Sequence, residues 1–110
     1  YLALNKLYFG PDMVSDAEIA LEWARIPHFF YNYYVFQYAT GFSAAVAIAN
    51  RILSDGAGAV ADYKRFLSGG CSTDPISLLK IAGVDMSTAE PINSALSLFG
   101  ELIDELEKIS

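Results

Sequence analysis

Apolar residues at Ile92, Leu96, Phe99, Ile103 and Leu106 recur in alternating steps of four and three, the spacing of one helix face. Ser87-Thr88-Ala89-Glu90-Pro91 precedes them, a hydroxyl cap with proline in the first turn. Together they predict a final amphipathic helix whose stripe docks inward on the rest of the chain. Residues 30–54 read as a longer helix, apolar nearly all round at first, which is the pattern of a buried helix. Its middle is small, with Ala39, Gly41, Ala44, Ala45, Ala47 and Ala49 letting neighbouring backbones approach, and Asp55-Gly56 ends it. Residues 59–67 place Val60, Tyr63, Phe66 and Leu67 on one face, closed by Gly69-Gly70. A short helix opens at Asp74-Pro75 with Thr73 or Asp74 as cap, carries Leu78 and Leu79, and stops at Gly83.

The front of the chain is more broken. Tyr1 to Tyr8 resemble the end of a helix, and Phe9-Gly10-Pro11-Asp12 is a break. Ser15-Asp16-Ala17-Glu18 fits a capping box, opening a short helix with Ile19, Leu21 and Trp23. Pro27 lacks an amide donor and disfavours helical backbone at Ile26, so a bend or fresh start belongs there. No segment alternates as a strand would. The expected class is all-α: several helices, one of them long and buried.

Composition changes that picture in one respect. Of 110 residues, 54% are hydrophobic and only 18% charged, so some apolar surface is expected to belong against further sequence. The absence of an initial methionine and the helix-like first residues suggest a piece cut from a larger protein. A net charge of −6, with seven scattered basic residues, argues against nucleic acid. The lone Cys71 excludes an internal disulfide and leaves the compartment open, with a reducing cytoplasm favoured. It follows two glycines and has no histidine near it in sequence, so it reads as an inert thiol. No signal peptide is visible. Residues 29–49 are apolar enough to need a membrane test, but Asn32, Gln37, Thr40 and Ser43 interrupt them and no basic clusters flank them.

The candidate chemistry gathers in Ile26-Pro27-His28-Phe29-Phe30-Tyr31-Asn32-Tyr33-Tyr34-Val35-Phe36-Gln37-Tyr38-Ala39-Thr40-Gly41. It holds the only histidine and four of the seven tyrosines. Burying a phenol OH unpaired costs about 1–3 kcal/mol, so each is either satisfied by neighbours or aimed at a ligand. Tyr31, Tyr34 and Tyr38 stand at i, i+3 and i+7, one face of the expected helix. That stripe is either core, with each OH reaching a partner, or the lining of a cleft that contacts a peptide carbonyl. His28 is either a structural helix-entry residue or a donor to a developing oxyanion.

Other chemistry is missing. One histidine and one cysteine cannot form the H-E-x-x-H helix of a zinc peptidase. No calcium loop, nucleophile elbow or phosphate loop is present.

At these residues the chain resembles a known family. Glu22-Trp23-Ala24-Arg25-Ile26-Pro27-His28-Phe29-Phe30-Tyr31 and Tyr34-Val35-Phe36-Gln37-Tyr38-Ala39-Thr40-Gly41-Phe42-Ser43-Ala44-Ala45 resemble the C-terminal catalytic region of the oligoendopeptidase F family. These zinc peptidases are related to thimet oligopeptidase and neurolysin. The likeness extends to Tyr8-Phe9-Gly10-Pro11-Asp12-Met13, to Phe66-Leu67-Ser68-Gly69-Gly70 and to Leu78-Leu79-Lys80-Ile81-Ala82-Gly83-Val84-Asp85-Met86. It closes with Pro91-Ile92 and the final helix, and so spans essentially the whole chain.

The resemblance implies an all-helical peptidase with a deep channel, its zinc ligands upstream of these residues and no metal held by this chain. It implies that zinc and an upstream glutamate activate water for attack on the scissile carbonyl. A histidine and a tyrosine then steady the oxyanion, roles that carry over to His28 and Tyr34. The wider family shows Tyr-x-Tyr here, whose second member falls at Phe36. That role is therefore absent or taken by Tyr38 or Tyr31, which are assigned to substrate binding.

Residues 1–110 are thus expected to be the C-terminal helical part of a cytoplasmic zinc oligoendopeptidase, inactive alone. Its partners would be short peptides and the remainder of the same polypeptide, or another copy of itself, with no nucleic acid and no membrane. The alternative from another class is an autonomous helical interaction module whose aromatic cluster is core. A membrane-associated helical domain ranks below both.

Overall fold

A computed structural model describes residues 1–109. Five α-helices and two 3₁₀ segments make up its regular structure, and no strand occurs among the described residues. The all-α class stands. The chain divides into two compact units, Tyr1–Gln37 and the residues from Tyr38 onward.

In the first unit, α1 (Leu2–Phe9) ends at Gly10 and packs against a 3₁₀ segment, Ala17–Arg25. Sequence predicts a capping box here, and none forms. Asp16, not Ser15, occupies the N-cap position, and no side chain caps the segment. The turn tightens to 3₁₀ geometry and is closed by an ion pair between Arg25 and Glu22. Ile26 is extended (φ −95, ψ 101), as a residue before proline tends to be. Pro27 then opens a single 3₁₀ turn, Pro27–Phe30.

The long helix differs from its expected bounds. α2 spans Phe36–Asp55, whereas the pattern predicts a start at residue 30. Tyr33 has φ +56, which no right-handed helix can contain. The run Tyr33-Tyr34-Val35 is aromatic and β-branched, residue types that lose side-chain freedom in a helix. Tyr31 and Tyr34 therefore lie in a turn and do not share a helix face with Tyr38. Burial along α2 is narrower than its apolar composition suggests: Ser43, Ala44 and Ile48 are buried, while Phe36, Tyr38, Phe42 and Leu53 are exposed.

In the second unit, α2 is followed by α3 (Ala57–Ser68), α4 (Pro75–Ile81) and α5 (Glu90–Ile109). Ala44, Ile48, Ala82 and Val84 form the core, with Ala47, Ile52, Tyr63, Phe66, Leu79 and Met86 packed on it. Of the small α2 residues expected to let backbones approach, only Ala44 and Ala47 sit here; Ala39, Gly41, Ala45 and Ala49 are exposed, and a methyl group on Gly41 would meet nothing within 4 Å. Asp74 is the α4 cap and accepts from the Ser77 amide at 2.9 Å. The Ser77 hydroxyl and amide hold its carboxyl below the usual aspartate value.

Gly83 (φ +79) closes α4. The Gly83 amide donates to Lys80 O and the Val84 amide to Leu79 O, each at 3.0 Å. This is a Schellman closure, with Val84 and Leu79 in the same apolar cluster.

Arg51 ties three helices of this unit together. Its Nη1 donates to Ala82 O at 2.8 Å, its Nη2 to Asp62 at 2.6 Å, and its Nε lies 3.4 Å from Asp55. Hydrogen bonds from Arg51 and Arg65 hold the Asp62 carboxyl low.

The α5 stripe overturns an expectation. Leu96, Phe99 and Leu106 are about 60% exposed (62%, 63% and 59%), and Ile92 and Ile103 are 41% exposed. The period is helical as read, but the residues covered within this chain are Pro91, which is buried, and Ser94, Ala95, Leu98 and Gly100, which are partly so.

Candidate active-site cluster

The segment after Ile26 is too short for a helix and is organised by backbone turns. The Phe29 amide donates to Ile26 O at 3.2 Å, and the Tyr31 amide to His28 O at 3.4 Å. Tyr31 is extended (φ −93, ψ 113). The chain then doubles back through Asn32, the left-handed Tyr33 and Tyr34 before α2 begins.

The result brings three sequence-predicted residues together. The ring centroids of His28 and Tyr34 are 5.6 Å apart at an interplanar angle of 32°. Tyr31 meets Tyr34 edge-on at 5.7 Å and 89°, and His28 at 6.4 Å and 66°. These are favourable aromatic distances and tilts. Tyr34 is partly buried, whereas His28 and Tyr31 are exposed. Trp23 flanks the segment, 6.2 Å from Phe30.

His28 and Tyr34 bring an imidazole and a phenol together, groups that can each donate a hydrogen bond. Such donors act best where negative charge develops, because they then need no rearrangement. Tyr38, the remaining candidate, lies on α2 in the second unit and is 59% exposed. Phe36, at the position of the missing phenol, opens α2 and is 55% exposed.

No group of three or more His, Cys, Asp or Glu that could hold a metal ion occurs among the described residues. Cys71 is free and exposed. Nor does any described helix have the length and apolarity to cross a membrane. A cleft of about 370 Å³ in the first unit, lined by Phe9, Met13, Ile19 and Glu22 among others, has none of His28, Tyr31 and Tyr34 in its lining.

Sequence reasoning overlooked Gln37. Its side-chain amide donates to Tyr33 O at 2.9 Å, and its backbone amide to Tyr34 O at 3.1 Å. The one available signal is a polar residue interrupting an apolar run just where the helix begins.

The model of Peptidase family M3 matches residues 1–98. Oligopeptidase PepF of Bacillus subtilis is 57% identical over 109 residues, covering 99% of this chain and 16% of that protein. The chromosomal oligoendopeptidase F of Lactococcus lactis subsp. cremoris is 43% identical, again over 99% of this chain and 18% of its own length. The crystal structure of oligoendopeptidase-F from Enterococcus faecium superposes with a TM-score of 0.81 at 49% identity, covering 98% of this chain and 21% of that one. The chain thus spans about a sixth to a fifth of the length of these relatives.

Proposed function

The chain belongs to peptidase family M3, and on that premise we propose that it is the C-terminal helical part, residues 1–110, of a zinc-dependent oligoendopeptidase that hydrolyses short peptides. The relatives just described are named oligopeptidases and oligoendopeptidases, which supports peptide-bond hydrolysis as the reaction class. Zinc belongs to the whole enzyme in this reading and is held by residues outside this chain.

The observation that carries the site assignment is the contact of the His28 and Tyr34 rings at 5.6 Å. The imidazole N–H and the phenol O–H donate to the oxygen of the scissile carbonyl as it takes up charge. Tyr31, edge-on to Tyr34, buttresses the phenol and contacts substrate. The enzyme acts on soluble peptides in the cytoplasm.

The test is hydrolysis of internally quenched short peptides by the full-length protein and its His28→Ala variant. The parent cleaves them, and the variant loses turnover on the order of 10²–10³-fold, the usual effect of removing one oxyanion donor. A fully active His28→Ala enzyme contradicts the assignment.

A further inference from the structure

Among the described residues, Tyr33 is the single non-glycine with positive φ, at +56. This left-handed region is uncommon for any side chain and disfavoured for an aromatic one. Its ring does not compensate by burial, since the residue is 84% exposed. Compensation comes from its carbonyl. Tyr33 O accepts the Gln37 side-chain amide at 2.9 Å, and the next carbonyl, Tyr34 O, accepts the Gln37 backbone amide at 3.1 Å. One residue in the first turn of α2 thus secures two successive carbonyls of the turn.

We infer that the left-handed backbone of Tyr33, secured by the Gln37 side chain, is the device that sets the Tyr34 phenol against His28. The inference rests on the reading of His28 and Tyr34 as oxyanion donors. Tyr34 directly follows Tyr33, so a return of Tyr33 to an ordinary negative φ would redirect the chain leading to Tyr34. The phenol would leave its 5.6 Å contact with His28. Backbone strain of this kind persists where surrounding bonds over-determine it, and it concentrates at functional sites. Gln37 and Tyr33 are positioning residues: they act through Tyr34.

The chemistry of the tie selects the variants. Glutamate matches glutamine in shape but, when ionised, has no proton to donate to Tyr33 O. Gln37→Glu in the full-length enzyme should therefore lower kcat with KM little changed. Loss of alignment by about an ångström can lower turnover on the order of 10²-fold. Tyr33→Val, a β-branched residue ill suited to positive φ, should do the same. Tyr33→Gly, which adopts positive φ freely, should stay within a few-fold of the parent. It should also restore most of the turnover of Gln37→Glu when the two are combined.

Retained kcat in Gln37→Glu, or equal losses in Tyr33→Gly and Tyr33→Val, would overturn the inference; the second result would assign importance to the Tyr33 ring instead. Should Tyr33→Val fail to fold, Gln37→Glu with its Tyr33→Gly rescue still decides. Tyr34→Phe, assayed alongside, separates the two levels. If it keeps full kcat, the oxyanion reading itself is wrong and this inference falls with it. If it loses kcat while Tyr33→Gly fails to rescue, the positioning device alone is wrong.

Discussion

Arg51 lies so close to Gly83 that a methyl group on the glycine would meet its Nη1 at 2.5 Å. The same guanidinium donates to the adjoining Ala82 carbonyl at 2.8 Å, so the end of α4 is seated on Arg51. Gly83 also has φ +79, where a Cβ alone costs about 1–2 kcal/mol. Gly83→Ala should therefore raise local opening of α4, speeding amide exchange there roughly 5- to 30-fold if exchange follows that opening. In an Arg51→Ala background part of this penalty should vanish, since the overlap is gone. Strictly additive effects would show that the two residues do not oppose each other.

Asp85 is the bonded carboxyl of the loop after α4, held by Ser87 and Lys80. Its carboxyl accepts the Ser87 hydroxyl at 2.5 Å and the Ser87 amide at 3.0 Å, and pairs with Lys80 at 3.0 Å. These contacts, the Ser87 hydroxyl foremost, hold its pKa at about 2, below the ordinary 3.8. A carboxyl with a lowered folded-state pKa contributes stability that is fully present above its unfolded value and is lost as pH falls through the folded one. The contribution should fade between about pH 4 and pH 2. Asp85→Asn should flatten the acid limb of the stability profile in that window. An unchanged profile, or an Asp85 carboxyl titrating near 3.8 by NMR, would contradict the network.

The exposed α5 stripe makes a solution prediction for the 110-residue chain. Phe99 is 63% exposed, so Phe99→Ala should shift its stability by no more than about 0.5 kcal/mol, the usual range at a surface. Binding of a dye that reports apolar surface should fall in the same variant. A loss of about 3–5 kcal/mol, typical of a truncated core phenylalanine, would show that the stripe is buried in solution.

Metal analysis bears on where the zinc ligands lie. With no set of three candidate ligands among its described residues, the 110-residue chain should retain no stoichiometric zinc after dialysis. It should likewise cleave no peptide. One zinc per chain held tightly would move the metal site into these residues and undo the division of labour proposed above.

How far the sequence could be read follows from where the deciding forces are local. Asp74-Pro75 and Gly83 speak through cap and closure chemistry confined to a few residues, and both ends of α4 lie where that chemistry puts them. The helical period from Ile92 to Leu106 is equally local, and α5 bears it out. Burial of that stripe is not local: it depends on what lies opposite, and periodicity carries no information about that. Ser15-Asp16-Ala17-Glu18 satisfies a motif without forming it, because the tight 3₁₀ path toward Ile26 and Pro27 takes precedence.

The aromatic cluster proposed as the site was half legible. His28 and Tyr34 could be singled out by residue type and family likeness, and Tyr31 joins them in space. Their route to one another was hidden. An apolar aromatic run reads as helix, whereas the turn depends on one left-handed tyrosine and a glutamine whose bonds appear only in three dimensions.

The most direct test of the account is the steady-state kinetics of Tyr34→Phe in the full-length enzyme, a nearly isosteric deletion of one OH. If Tyr34 meets the oxyanion, its contact strengthens in the transition state and contributes little to ground-state binding. The variant should then lose on the order of 10²–10³ in kcat, with KM and zinc content little changed. Tyr31→Phe and Tyr38→Phe should lose much less. Full kcat in Tyr34→Phe, with the loss appearing in Tyr31→Phe or Tyr38→Phe instead, would contradict the assignment of Tyr34 as the oxyanion donor.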